Sequence, residues 1–459
     1  AGTSKTATFT LTTAADTTTV DARLIVLSGN RVLQTARLPA GIAGEQLPQR
    51  RAVWEPEVVI APLTESIADR RTFGAAFLVN HNADGLPRAT TFDGQNAAMV
   101  NLDAGSITAA LTAISDLLNE IVDAPGSFGA IDSVASVGLL RALASHGAMM
   151  RDALVEDSPG LDRVLAEPSA CLQVVSAKPD AYFPFEFGYQ FPPPQPDATL
   201  CLGAVAALRS HDRLCKARHE RTVVCPTGFW GLHRVIERHA YQPADQIPAS
   251  FGVHSAPTRK RDLITLGPAL FAASHRVDAV VPGGTNAVAN ALAAVGRMTP
   301  VSLWDEWRVA AAADDAPALM MLLPHTTYID SLRTFGLEIG TSSVESHFKG
   351  YLPSGEHPVI VVLLGCQTAR AGAVSYETFP GRFRIAGAKV VIATLTEVLG
   401  RHASPIASRL VGDIYRQCKP DACGMGEVML MLRRNLLADG LLPVLALASF
   451  GDADWLVGV

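Results

Sequence analysis

The chain has 459 residues, 48% hydrophobic and 18% charged, the balance of a packed globular protein with room for two or three domains rather than of a disordered one. Its net charge of −6 excludes the basic footprint of direct nucleic-acid binding. Every apolar run is broken well before the ~18 residues that a membrane-spanning helix needs, so no membrane partner is expected. Seven cysteines, odd in number and unevenly placed, point to free thiols in a reducing cytoplasm, not to a disulfide framework. The first residues, Ala1-Gly-Thr-Ser-Lys-Thr6, lack an apolar signal core. With no Met at the start, the chain is expected to be trimmed or cut from a longer one.

Residues 6–40 alternate polar and apolar positions in Thr6-Ala-Thr-Phe-Thr-Leu-Thr12, Ala22-Arg-Leu-Ile-Val-Leu27 and Arg31-Val-Leu-Gln-Thr-Ala-Arg-Leu38. Ser28-Gly-Asn30 between the last two is a hairpin signal. Val58-Val-Ile-Ala61 and Gly74-Ala-Ala-Phe-Leu-Val-Asn80 continue the pattern, and Asn82-Ala-Asp-Gly85 marks a tight turn. Residues 1–105 are expected to form an antiparallel β-sandwich-like domain. A helical connector over 106–165 follows, with apolar residues three and four apart through Ile121 and again from Val134 to Leu154.

From 166 to 459 the pattern alternates strand and helix. Leu172-Gln-Val-Val-Ser176 is a strand, Pro192-Pro-Pro-Gln-Pro196 a loop, and Gly231 to His239 a helix. Then come strand 269–274, helix Thr285 to Val295, strand Val301 to Trp304, a helix from Asp305, and strands 318–323, 359–364 and 389–394. Such alternation predicts an α/β fold, a mostly parallel sheet with helices on both faces. The Met and Leu stripe from Val428 to Leu437 has helical period and belongs in the core. Arg433 and Arg434 beside it are expected to form a solvated edge.

Two strand ends carry chemistry. Ala318-Leu-Met-Met-Leu-Leu-Pro324 runs into His325, and Val359-Ile-Val-Val-Leu-Leu-Gly365 runs into Cys366. Parallel sheets present functional residues at the carboxyl ends of their strands. A thiol and an imidazole brought to one edge form a nucleophile and its base. The alternative is that Cys366 fills the sheet edge as a buried residue and His325 is an ordinary histidine. Cys201, Cys215 and Cys225, with His211 and His219 among them, are a second cluster. Thiolates and a neutral imidazole at such spacing hold structural zinc, although no Cys-x-x-Cys pair is present. Cys418 and Cys423 mark a helix exit.

Several further segments stand in a fixed order around these strand ends. They are Phe183-Pro-Phe-Glu-Phe-Gly-Tyr189, Cys225-Pro-Thr-Gly-Phe-Trp-Gly-Leu232 with Glu237-Arg-His239, Leu323-Pro-His325, Leu364-Gly-Cys-Gln-Thr-Ala369, Gly387-Ala-Lys-Val-Val-Ile-Ala-Thr-Leu395 and Gly451-Asp-Ala-Asp-Trp455. Together they resemble the CHAT domain, a caspase-like fold of prokaryotic proteases in the separase and caspase superfamily. The resemblance runs from about Cys171 to Val459. It implies a cysteine endopeptidase with Cys366 as nucleophile, His325 as base and no cofactor in catalysis. Backbone N–H groups of Cys366 and Thr326 would form the oxyanion hole, with Thr326 standing where the family usually has Gly. Pro282-Gly-Gly-Thr285 matches the place where caspases carry an aspartate-reading Arg, and here that place holds Pro. Asp278, Asp330 and Glu338, near strand ends, are left as candidates to read a basic side chain of a substrate or as ordinary solvated carboxylates. The family further implies a protein substrate and an activating partner or sensor in bacterial, including antiviral, defence. A catalytically inactive scaffold that recruits partners is the alternative. An α/β hydrolase is disfavoured, because no Gly-x-Ser-x-Gly elbow is present.

Overall fold

The computed structural model describes residues 10, 12–14, 16–41, 55–60, 70–81, 87–93, 96–102, 105–156, 158–177, 183–217, 219–241, 263–329, 334–345, 350–353, 357–365, 374–395 and 400–459. Its strands begin with β1 (Thr19–Ser28), β2 (Arg31–Gly41), β3 (Glu55–Val59), β4 (Ala75–His81), β5 (Pro87–Phe92) and β6 (Ala97–Asn101). There follow β7 (Leu172–Ser176), β8 (Thr199–Leu200), β9 (Val223–Val224), β10 (Ile236–His239), β11 (Leu263–Thr265), β12 (Ala269–Ala273) and β13 (Met298–Val301). The remainder are β14 (Leu319–Leu323), β15 (His325–Ile329), β16 (Thr334–Ile339), β17 (Ser342–Glu345), β18 (Ile360–Leu363), β19 (Val390–Thr394), β20 (Cys423–Gly424), β21 (Leu447–Gly451) and β22 (Leu456–Gly458).

One sheet of 11 strands organises the molecule, in the order β13-β12-β14-β18-β19-β21-β10-β7-β4-β5-β6. Its central strands read as unbroken apolar runs because both faces are covered. All five residues of β14, Leu-Met-Met-Leu-Leu, are buried. Period-two alternation then sorts them. Met321 and Leu323 join one core with Ile360 and Val362, while Met320 and Leu322 join a second core with Val361 and Leu363. Helices Gly284–Ala293, Gly400–Cys418 and Met425–Ala438 bury Val288, Leu410 and Leu432 in the first core. Trp304 and Trp307 of helix Trp304–Ala311 and Phe383 of helix Val374–Ala386 close the second. The α/β layering expected from the sequence is therefore present.

The sheet is mixed in an ordered way. The block β13-β12-β14-β18-β19 is parallel throughout, and so is the block β21-β10-β7-β4. The two meet antiparallel at β19 and β21. Their carboxyl edges consequently lie on opposite sides of the sheet.

Of the antiparallel strands expected before residue 105, the run at Thr6–Thr12 lies largely outside the described residues, as does the turn at Asn82–Gly85; the other strands are present but divide between two sheets. β4, β5 and β6 extend the large sheet, β4 running parallel to β7. β1, β2 and β3 form their own antiparallel sheet. It packs on that extension through Val32 and Val58 against Ala76, Leu78, Phe92 and Val175.

Three local expectations are corrected. The helix expected over Gly231 to His239 is one turn, Trp230–His233, followed by strand β10. The partner is β7, whose edge claims Ile236 to His239 by parallel pairing. The strand expected at Val301 to Trp304 sits earlier, at Met298–Val301, and Trp304 already begins a helix. Arg433 and Arg434 are not solvated: they are 2% and 0% exposed. Their guanidinium groups donate to the carbonyls of Gly231, Leu208 and Leu232, a large apolar helix being covered on the side where an edge was expected.

Candidate active site

β14 and β18 are neighbours, parallel, and in register from Leu319 opposite Ile360 to Leu322 opposite Leu363. The ladder continues past the strands, with Leu364 N donating to Leu322 O at 3.0 Å. Gly365 then lies against Pro324: a Cβ on Gly365 would come within 3.1 Å of the Pro324 carbonyl oxygen. The next residues in sequence are His325 and Cys366. Cys366 itself lies outside the described residues, as does Asp330.

β12 ends at the same edge. Ser274 N donates to Leu323 O at 2.9 Å, so Ser274, His275 and Arg276 stand beside Pro324 and His325. The strand-end logic that singled out His325 applies to these residues too, because the apolar run of β12 ends in Ser-His-Arg.

His325 opens a second, three-stranded antiparallel sheet, β15-β16-β17. This sheet is tied to the main edge by Gly340, which bridges Ser274 and whose N–H donates to Ala273 O at 2.8 Å. Gly340 has φ +51, and a Cβ there would strike the Ser302 carbonyl. Only glycine fits at this junction. Within the small sheet His325 is opposite Glu338, and Thr326 is opposite Leu337. Thr326 is buried and His325 half-buried.

Glu338 is the charge centre of the corner. Its Oε1 accepts from Ser274 Oγ at 2.8 Å and lies 3.3 Å from Arg276 Nε and 3.5 Å from His275 Nδ1. Burial pushes the His325 imidazole below its ordinary pKa of 6.5. The charges of Arg276 and His275 push the same way, and Glu338 opposes them. The ring is thus held toward the neutral form that a general base requires. Asp278 has a different place: it accepts from Thr285 N at 2.9 Å and from the Thr285 hydroxyl, at the start of helix Gly284–Ala293.

At the opposite edge of the sheet, the segments of the second block are held by buried ion pairs. Arg238 Nη2 is 2.7 Å from Glu186 Oε2, with both side chains at 2% exposure or less. On the opposite face of β10, Glu237 binds Arg31 at 3.1 Å, accepts from Gln173 at 2.9 Å and from Ala453 N at 2.9 Å. Asp454 takes Arg31 and Arg71 at 2.9 and 2.6 Å. The Phe183–Tyr189, Glu237–His239 and Gly451–Trp455 segments are therefore joined to one another and to the first strands of the chain.

The cysteine cluster forms at a separate two-stranded sheet. β8 and β9 pair in parallel, Leu200 beside Val224, and Cys201 and Cys225 follow directly. Cys201 N donates to Val224 O at 2.9 Å. Cys215 and His219 come in from the excursion between the strands. One ligand atom from each of Cys201, Cys215, His219 and Cys225 lies within 4.8 Å of all the others. His211, the other histidine of this stretch, is exposed. Among the described residues no helix is long and apolar enough to cross a membrane.

No family model matches the chain, and no curated protein matches it. Among solved structures, the Arg-specific cysteine proteinase gingipain R is similar at a TM-score of 0.38 and 12% identity, covering 76% of this chain and 76% of that one. A complex of Porphyromonas gingivalis RgpB pro- and mature domains is similar at a TM-score of 0.35 and 13% identity, covering 76% of this chain and 78% of that one.

Proposed function

We propose that this protein is a CHAT-type, caspase-like cysteine endopeptidase of the cytoplasm, switched on by a partner or signal in bacterial defence or signalling. The observation that supports it is the register of β14 and β18, which brings Pro324-His325 and Gly365 to one edge, Cys366 being the next residue in sequence. In this reading His325 takes the proton of the Cys366 thiol. The thiolate attacks the peptide carbonyl, and His325 passes the proton to the leaving amine. Water, deprotonated by His325, then releases the acyl group. The N–H groups of Cys366 and Thr326 serve the oxyanion. Glu338, with Asp278 and Asp330 as the other candidates, reads a basic substrate side chain. Glu338 already pairs with Arg276 at 3.3 Å, so a substrate cation would share or displace that partner. The small sheet β1-β2-β3, packed on the far end of the large sheet, is the docking module for an activator.

The test is labelling by an electrophilic peptide probe, with and without candidate activators. Wild type is expected to be labelled at Cys366. Cys366→Ala and His325→Ala are each expected to lose about 10³-fold or more in cleavage rate, and the losses do not add. A Cys366→Ala variant that cleaves at the wild-type rate overturns the dyad. A fully folded wild type that is never labelled favours the scaffold.

A further inference from the structure

We propose that Cys201, Cys215, His219 and Cys225 hold one zinc ion in a closed, structural site. The distances fit such an ion. Three thiolates at ~2.3 Å from zinc in a tetrahedron stand about 3.8 Å apart, and Cys201 Sγ and Cys215 Sγ are 3.9 Å apart. All four ligand atoms fall within 4.8 Å of one another. Three sulfurs and an imidazole are the donor set of tetrahedral zinc.

The surroundings fit as well. His219 Nε2 is a buried nitrogen with no hydrogen-bond partner, an arrangement that native proteins avoid unless something else binds it. The ring is stacked on Phe191 with centroids 3.9 Å apart and planes 14° apart, so its direction is fixed. Groups around the ligands orient them, as outer-shell partners of metal sites do. Thr227 Oγ1 accepts from Cys215 N at 3.1 Å and lies 3.2 Å from Cys225 Sγ. Tyr189 Oη accepts from Cys225 N at 3.1 Å. Cys201 and Cys225 are buried and Cys215 half-buried. On zinc each thiol gives its proton to solvent. The ion with three thiolates and a neutral imidazole would carry charge −1, near the buried guanidinium of Arg434, which donates to the carbonyl of Arg213, two residues before Cys215.

Four protein ligands leave no open position, so the ion is structural rather than catalytic. It would fix the excursion from Cys201 to Cys225 against the sheet. Cys225 leads through Pro226–Gly228 into helix Trp230–His233 and then β10, so the metal would hold the entry to the second block.

The experiment uses the full chain without an affinity tag, produced with zinc and purified without chelator. Metal content and thermal unfolding are read together, before and after chelation. About one zinc per chain is expected, with a lower Tm when it is removed and recovery of both on adding zinc. Cobalt in place of zinc is expected to give the absorption of a tetrahedral sulfur-ligated ion. His219→Ala and Cys215→Ser are expected to lose the metal, and His219→Cys, which supplies a fourth thiolate, to keep both metal and Tm. Thr227→Val is expected to bind zinc about tenfold or more weakly. Folded wild-type protein that contains no zinc and takes up neither zinc nor cobalt overturns the site. So does a Cys201–Cys215 disulfide in the freshly isolated protein, or a His219→Ala variant that binds zinc as tightly as wild type. None of these readings involves cleavage, so they stand whether or not the protein is a peptidase.

Discussion

His325 is poised by opposing charges. Burial, then Arg276, then His275 lower its pKa, and Glu338 across the strand pair raises it. Removing Arg276 takes away a cation that disfavours the protonated ring, so Arg276→Ala should move the His325 pKa up. Glu338→Gln should move it down. An NMR titration of the His325 ring reads both shifts without turnover. If the ring is the general base, the acid limb of the pH profile of kcat/KM should follow, to higher pH in Arg276→Ala and lower pH in Glu338→Gln. A profile that ignores both substitutions while the ring titrates as expected would place the base elsewhere. His325 was legible because Pro324 ends an apolar run just before it. Ser274, His275 and Arg276 escaped notice because nothing local says that β12 lies beside β14. That neighbour relation comes from the sheet order alone.

Elements show the same division between pattern and partner. The Leu and Met stripe of helix Met425–Ala438 announced a core helix, and the core holds Val428, Leu432 and Leu436. Periodicity finds one buried stripe but does not report a second covering layer. Here helices Ala204–Arg209 and Trp230–His233 cover the arginine side, so Arg433 and Arg434 meet backbone carbonyls instead of water. Strand β10 was misjudged for a related reason. Its residues read as part of a helix, and its charged Glu237 and Arg238 are buried because each is paired, Glu237 with Arg31 of β2 and Arg238 with Glu186. Glu186→Ala would leave the Arg238 guanidinium buried without its carboxylate, a change that costs about 3–5 kcal/mol. Denaturant unfolding should show that loss. The double variant Glu186→Leu, Arg238→Met should recover much of it, since an apolar pair does not pay for removing charge from water.

For the whole molecule, acid sensitivity follows from groups kept uncharged inside it. His233 is fully buried and donates from Nδ1 to Phe229 O at 3.0 Å. Burial, and then Arg234 beside it, hold its pKa well below 6.5. The folded state therefore binds this proton less readily than the unfolded chain does. Its contribution to stability is complete above about pH 6.5 and is lost as pH falls below that value, at about 1.4 kcal/mol per pH unit. Glu237 acts lower on the scale. Burial pushes it up, but Arg31, His239 and the Ala453 N–H outweigh this and hold it well below the usual carboxylate range. Its contribution is lost only as pH falls below about 4.5. Tm should thus be level from pH 7 to 8 and decline already between pH 6.5 and 5, more gently in His233→Gln. A level Tm down to pH 5 in the wild type would contradict this. The α/β alternation was legible from residue 166 onward because buried parallel strands are written as unbroken apolar runs. The reversal of direction between the two blocks was not, since a strand's sequence carries no mark of the way it runs.

That reversal depends on β21. In chain order it follows every other strand of the large sheet, yet it stands at the middle, between β19 and β10. A ribosome delivers ten strands before the one that joins them. Until then the growing chain carries two half-sheets, each with a bare inner edge of unpaired N–H and C=O groups, the kind of edge that pairs with any strand at hand. Synthesis of this protein should therefore lean on chaperones that shield such edges, and a ribosome stalled just short of Leu447 should present two separate protease-sensitive halves.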